Sequence, residues 1–249
     1  MTDKQAASLV DADVVLIGEI HDNPKHHAFQ AETVARLQPA ALVFEMLSER
    51  QASMVSPSMI ADSAVMEAAL QWEASGWPDF AMYHPIFAAA ADADYFGAAV
   101  PGDAFQSFMQ GGPTAIMGED AGHFGLLSAL PEAEQTRREA LQMEAHCNAM
   151  PEDALPVMVG FQRLRDARLA QATLEALDET GGPVVVITGN GHARTDWGVP
   201  WYLNRVRPAL VVHAIGQAEE GVISGTFDMV VNAPSVDRPD PCAAFENRG

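Results

Sequence analysis

The sequence predicts an α/β protein with a mainly parallel central sheet flanked by helices and an inserted helical lobe. Val14-Val15-Leu16-Ile17 and Val184-Val185-Val186-Ile187 are continuous, mostly β-branched apolar runs, the pattern of strands buried on both faces. Each breaks into a glycine-led loop that carries a histidine, Gly18-Glu19-Ile20-His21-Asp22 in one case and Gly189-Asn190-Gly191-His192-Ala193-Arg194 in the other. Parallel α/β sheets place their functional groups just beyond the carboxyl ends of the strands, so both loops mark one candidate site.

After the first strand, Asp22 or Asn23 can cap a helix that starts at Pro24, and Ala28, Ala31, Val34 and Ala35 recur at helical spacing up to Pro39. Ala41-Leu42-Val43-Phe44-Glu45 reads as the second strand, which makes residues 13–46 a βαβ unit with a right-handed crossover. From about Ser48 the text turns Ala-, Met- and Gln-rich and helical, interrupted by a third strand through Asp94 to Val100. Helices follow from Pro131 to about His146 and from about Leu155 to Leu177. The sheet resumes at Val184–Thr188 and Ala209–Ile215, and Gly225–Val231 reads as an edge strand or a hairpin partner. The expected organisation is a single domain over 1–249, with an α/β core at about 13–47, 92–103 and 183–232. A helical lobe covers about 48–182, and a ligand would lie in the cleft between core and lobe.

Composition narrows the function. A chain of 249 residues, 48% hydrophobic, can bury a large core and needs no metal or disulfide to stay folded. A formal charge of −20 argues against nucleic acid as partner, because phosphate backbones recruit Lys and Arg. No run approaches the roughly 18 to 20 apolar residues of a membrane span. Cys147 and Cys242 lie far apart with no ligand spacing, which fits a reduced, cytoplasmic setting better than a stapled secreted module. The location would be periplasmic or membrane-anchored had a leader been removed.

Alternate side chains of an extended segment share a face, so Glu19 and His21 project together, as an acid/base pair or half a metal shell. The competing reading is a Glu that caps a helix and a His that satisfies a turn. His26 and His27 fall in the next helix's first turn and are expected at the surface. Asn190 and His192, with Arg194 beyond, repeat the logic at the other strand end, where Gly189 and Gly191 allow a sharp turn and a close approach. Glu45 and Asp103 end further strands and need partners if buried. Gln162, Arg165 and Asp166 share one helical face, and Arg165 could clamp Glu19, Glu45 or a ligand carboxylate; an exposed ion-pair face with Arg163 and Arg168 is the plainer alternative. Trp72, Trp77, Pro78, Tyr83, His84 and Pro85 form an aromatic cluster that is either core or the wall of an apolar pocket.

These segments, in order, resemble the ChaN-like haem-binding uptake proteins. The matching residues are Gly18 to Pro24, Phe44-Glu45-Met46, Trp77-Pro78-Asp79 with Tyr83 and Pro85, and Gln162 with Arg165-Asp166. Gly189 to Arg194 with Gly198-Val199-Pro200, and Asp240-Pro241-Cys242, extend the match over about 13–246. The wider superfamily, with the TIKI and TraB proteins and the erythromycin esterases, implies a parallel α/β core with a helical lobe. It also associates Glu19, His21, Glu45 and His192 with hydrolytic or metal-dependent chemistry. In that form His21 would be the general base, Glu19 its orienter or a metal ligand, and Arg165 an oxyanion or carboxylate clamp. A divalent metal on Glu19, His21, Glu45 and His192 belongs to the same expectation, with Asp22, Asp103, Gln162, Asp166 and Asn190 as supporting polar groups. The ChaN-like resemblance instead implies haem, held by a tyrosine, Tyr83 or Tyr202, with His84 and Arg194 toward the propionates, commonly across a homodimer.

Overall fold

The strands are β1 (Val14–Glu19), β2 (Ala41–Phe44), β3 (Asp94–Gly97), β4 (Val184–Gly189), β5 (Val212–Glu219) and β6 (Met229–Ala233). In the computed structural model, which describes residue 3, residues 8–240 and residues 242–243, they form one sheet ordered β3-β2-β4-β1-β5-β6. Every neighbouring pair is parallel. β1 and β4 lie at the centre in register, Val14 opposite Val184 and Glu19 opposite Gly189, and all twelve of their residues are buried. That burial on both faces is why their sequences are apolar throughout rather than alternating.

Several strand boundaries differ from the expectation: β3 ends at Gly97 rather than Val100, and β6 spans Met229–Ala233 rather than Gly225–Val231. The segment from Ala209 begins in a turn, Leu210 N donating to Arg207 O, and β5 instead runs past Ile215 to Glu219. Paired by β1 on one side and β6 on the other, it can carry the buried polar Gln217, whose amide donates to Gly18 O at 2.7 Å and His26 O at 3.2 Å. β6 is a parallel edge strand, so the hairpin alternative falls away.

The helix α1 (Pro24–Leu37) is capped by Asn23, whose side chain accepts from Lys25 N, and it ends before Pro39. Its inward face is not the alanine stripe. Ala28 and Ala35 are exposed, whereas His26, His27, Gln30, Thr33 and Val34 are buried. The polar members meet backbone groups at the strand end: Ile20 N donates to His26 Nδ1 at 2.9 Å, His27 Nε2 donates to His21 O at 2.8 Å and Gln30 Nε2 to Ile17 O at 3.1 Å. Strand ends that turn into loops leave such groups without ladder partners, and a polar helix face supplies them. The expectation of surface positions for His26 and His27 is therefore corrected.

Between β2 and β3, short helices lead to α2 (Phe80–Ala88), whose cap Asp79 accepts from Ala81 N. Of the aromatic cluster, Trp72 and Tyr83 are core, whereas Trp77, Pro78 and His84 are half-buried and Pro85 is exposed. Trp72, Phe80, Tyr83 and Phe87 are enclosed, Phe87 stacks on Phe44 of β2 at 4.4 Å, and Trp72 Nε1 donates to Pro78 O at 2.7 Å.

The chain divides into two compact units: Met1–Val100 with Arg168–Ser235, and Pro101–Ala167 with Val236–Gly249. The helices between residues 48 and 93 thus belong with the sheet rather than with a lobe, because their aromatic faces pack on β2 and α1. The second unit is helical, with α3 (Ala104–Gly111), α4 (Glu132–Ala145) and the first half of α5 (Leu155–Thr180). Phe105 and Phe108 pack edge-on against Phe161, and Arg163 donates to Gly125 O at 2.9 Å. Cys147 and Cys242 form a disulfide within this unit, which corrects the expectation of reduced thiols. Asp240 accepts from Cys242 N, while Pro241 lies outside the described residues.

Gly97, the last residue of β3, tests the packing. A Cβ there would run into the Ser48 carbonyl and stand 2.6 Å from Leu47 O, and backbone cannot swing aside as a side chain can. Gly97→Ala is expected to cost about 1–3 kcal/mol, read as a lower midpoint in a denaturant melt with an unchanged slope.

Candidate functional site

Three adjacent strands, β2, β4 and β1, end side by side, and their carboxyl ends deliver the polar groups. Glu19 closes β1, Glu45 follows β2 with its N–H donating to Ile187 O of β4, and Thr188 and Gly189 close β4. The helical turn α6 (Asn190–Ala193) then presents His192.

Glu19 is fully buried. Its Oε1 accepts from the Tyr83 hydroxyl at 2.9 Å and from His21 Nδ1 at 2.7 Å, and its Oε2 stands 3.4 Å from His27 Nδ1. Glu45, also buried, accepts at Oε2 from the Thr188 hydroxyl (2.6 Å) and from Gly189 N (2.8 Å), and its Oε1 lies 3.4 Å from His192 Nε2. Hydroxyl, amide and imidazole donors carry these carboxylates, which is how a buried anion can remain charged. The two clusters converge at Gly189: a Cβ there would lie 2.9 Å from His21 Nε2 and 3.7 Å from Glu45 Oε2. The close approach that this glycine permits is that of the protein's own His21.

His21 is the accessible member, its side chain about one-third exposed (34%) and its ring 4.8 Å from that of Trp77. Because Glu19 takes the Nδ1 proton, a neutral ring keeps its lone pair on Nε2, the atom beside Gly189 and Glu45. Burial works to lower the ring's basicity, but the hydrogen bond to Glu19 and the charges of Glu45 and Glu19 outweigh it, against some repulsion from His192. The net effect raises His21 above the ordinary value of 6.5. Burial, and then the charge of Glu19 and its hydrogen bond, push the Tyr83 phenol far above the usual tyrosine range, so it stays a neutral donor.

The other residues singled out from the sequence take different places. Among the tyrosines, Tyr202 is buried against Trp201, and Tyr95 is half-buried with its hydroxyl donating to Phe87 O and Ala90 O. With Tyr83 tied to Glu19, all three tyrosines of the chain are packed inward, and none offers a phenolate at a surface. His84 Nε2 bonds to Ile60 O. Arg194 forks onto Asp196 through two 2.6 Å bonds and lies over Trp197 at 3.7 Å, so its guanidinium is engaged inside the fold. The Asn190 side chain exchanges two hydrogen bonds with the Gln217 backbone of β5, just past Ile215, where the pairing of β5 with β1 ends. Asp22 is exposed, next to the capping Asn23. In the second unit, Asp103 is exposed at the start of α3, Arg165 donates to Gln162 at 3.4 Å along α5, and Asp166 is buried. Among the described residues, no group of three or more His, Cys, Asp or Glu is placed to hold a metal ion. As they stand, Glu19 Oε1 is engaged with Tyr83 and His21, and Glu45 Oε2 with Thr188 and Gly189, rather than gathered round one point. His27 and Thr188 belong to the site and went unassigned in the sequence, although His26, Gln30 and Thr33 do form a polar stripe at helical spacing.

The family described as "Haem-binding uptake, Tiki superfamily, ChaN" matches residues 5–203. The chain belongs to this family. Among solved structures it is similar to ChaN of Campylobacter jejuni, described with cofacial haem binding, at 17% identity and a TM-score of 0.68, covering 92% of this chain and 90% of that one. It is also similar to the type III effector HopBA1, at 13% identity and a TM-score of 0.52, covering 94% and 93%. At these identities the likeness shows the shared fold, a parallel α/β sheet with helices. A search of curated protein sequences finds no match. No helix among the described residues is long and apolar enough to cross a membrane.

The raised pKa of His21 carries a sign. A histidine that titrates higher in the folded state stabilises the fold fully below about pH 6.5, and that contribution fades as the pH climbs through the folded value. Melting curves of the wild type and His21→Asn are therefore expected to differ most in mild acid and to converge as the pH is raised. A gap that widened toward alkaline pH would contradict this electrostatic picture.

Proposed function

We propose that this chain is a haem- or iron-handling binding protein and that His21 Nε2 is the atom that meets the iron. The reading rests on family membership over residues 5–203. The donor set fits in one respect: His21 has one ring nitrogen held by a carboxylate and the other bare on a partly exposed side chain, the arrangement of histidines that ligate metals. It does not fit tyrosinate ligation, since Tyr83, Tyr95 and Tyr202 are all tied or packed inside. Haem would supply a planar, redox-active iron, while the chain's own part is to orient the imidazole through Glu19 and to flank it with Trp77. The disulfide supports an oxidising compartment as the place of action.

Titration with haemin tests this proposal. A saturable Soret shift is expected in the wild type, weakened by tenfold or more in His21→Ala and retained in Tyr202→Phe. No shift at micromolar haemin would overturn the reading. Loss in Tyr202→Phe with retention in His21→Ala would overturn the choice of ligand.

A second reading is favoured by the paired carboxylate–imidazole groups at adjacent strand ends: an acid/base hydrolase in which His21 Nε2 removes a proton from water and Glu19 steadies the imidazolium that forms. Glu45, held by Thr188 and Gly189, and His192 lie beside that atom. Hydrolysis of an activated ester is then expected to fall by roughly 100-fold or more in His21→Ala. A wild-type rate no different from buffer, or an unaltered rate in the variant, would remove this reading.

A further inference from the structure

Glu19 Oε2 and His27 Nδ1 face each other at 3.4 Å, and neither has a hydrogen-bond partner among the described residues. Both side chains are enclosed, at 1% exposure or less. The other nitrogen of the same ring, His27 Nε2, lies 2.8 Å from the carbonyl oxygen of His21, which can only accept, so Nε2 carries a proton. A neutral ring then turns a lone pair at Nδ1 toward a carboxylate oxygen, and two acceptors this close in a dry interior repel each other. One proton between them turns repulsion into a charge-assisted hydrogen bond. The His27 ring also packs on that of Tyr83, 4.2 Å between centroids, and the Tyr83 hydroxyl binds the opposite oxygen of the same carboxylate. His27 thus touches the free edge of Glu19, the ring of one of its partners and the backbone of the other.

We propose that His27 is the positioning residue of this site: it clamps Glu19 so that the second carboxylate oxygen holds His21 in the Nδ1–H tautomer and leaves Nε2 as the reacting atom. The proposal rests on the carboxylate–imidazole site described above but on neither of its ligands. α1 supplies the geometry, because His27 in its first turn lies directly under the loop that carries His21. Two amide substitutions separate the two edges of the ring. Asn places its NH₂ near the position of Nδ1 and can donate to Glu19, whereas Gln places its NH₂ near Nε2 and can satisfy only the His21 carbonyl.

The test is the ring-nitrogen spectrum of the full chain labelled with ¹⁵N-histidine, recorded without haem or ester at a pH raised until the His21 signals stop titrating. The wild type is expected to show His21 as one tautomer, protonated at Nδ1 and bare at Nε2, and His27→Asn to keep that signature. His27→Gln is expected to lose it, giving two tautomers in exchange. A single Nδ1–H tautomer persisting in His27→Gln would overturn the proposal. Wild-type spectra decide the matter even if that variant does not fold: a hydrogen-bonded Nδ1 on His27 is required, and a free Nδ1 there would overturn the clamp. Because no ligand enters the experiment, its outcome is independent of whether haem binds or an ester is cleaved.

Discussion

Two buried carboxylates at strand ends on either side of β4 must be satisfied, and the surroundings of the site follow from that requirement. A buried carboxylate without partners costs several kcal/mol or gives up its charge. Glu45 takes a hydroxyl from Thr188 and the backbone N–H of Gly189, donors that exist only because β4 lies between β2 and β1. Glu19 draws instead on the covering layer and its own strand end, a phenol from α2 and the imidazole of His21, with the His27 ring of α1 standing 3.4 Å from its other oxygen. One acid is thus fixed by the sheet and the other by the layer that covers it.

This division separates what the sequence made legible from what it hid. The central strands were plain because doubly buried parallel strands have little freedom to be anything but apolar and β-branched, and the period of two placed Glu19 beside His21. The face of α1 was hidden. Apolar periodicity pointed to Ala28 and Ala35, but the surface under the helix holds strand-end carbonyls and an amide that His26, His27 and Gln30 meet. β5 was cut short for a similar reason, since Gln217 looks like a terminus until Gly18 O and His26 O are seen to receive its amide. The disulfide left no trace in spacing, because a separation of 95 residues says nothing about proximity. Arg194 looked like a ligand-binding cation and is a fork on its own neighbour Asp196.

The family supplies a ligand class, and the local chemistry supplies a reactive atom. Both proposed readings ask the same thing of His21, a bare Nε2 on an oriented ring, and the hydrogen bond to Glu19 and the contact with Trp77 bear on either one. The paired imidazole and carboxylate arrangement can therefore serve different chemistries on one scaffold, as α/β sheets do generally. What differs between the uses is the shape presented to the ligand, not the preparation of the histidine.

The covalent bond between Cys147 and Cys242 makes a closed loop of the intervening chain, and that loop contains β4, β5 and β6. The three strands are therefore part of a ring that cannot close until residue 242 has left the ribosome. Oxidative maturation must then come after synthesis of the sheet rather than alongside it, and a protease that nicks the ring releases no fragment from it until a reductant opens the bond.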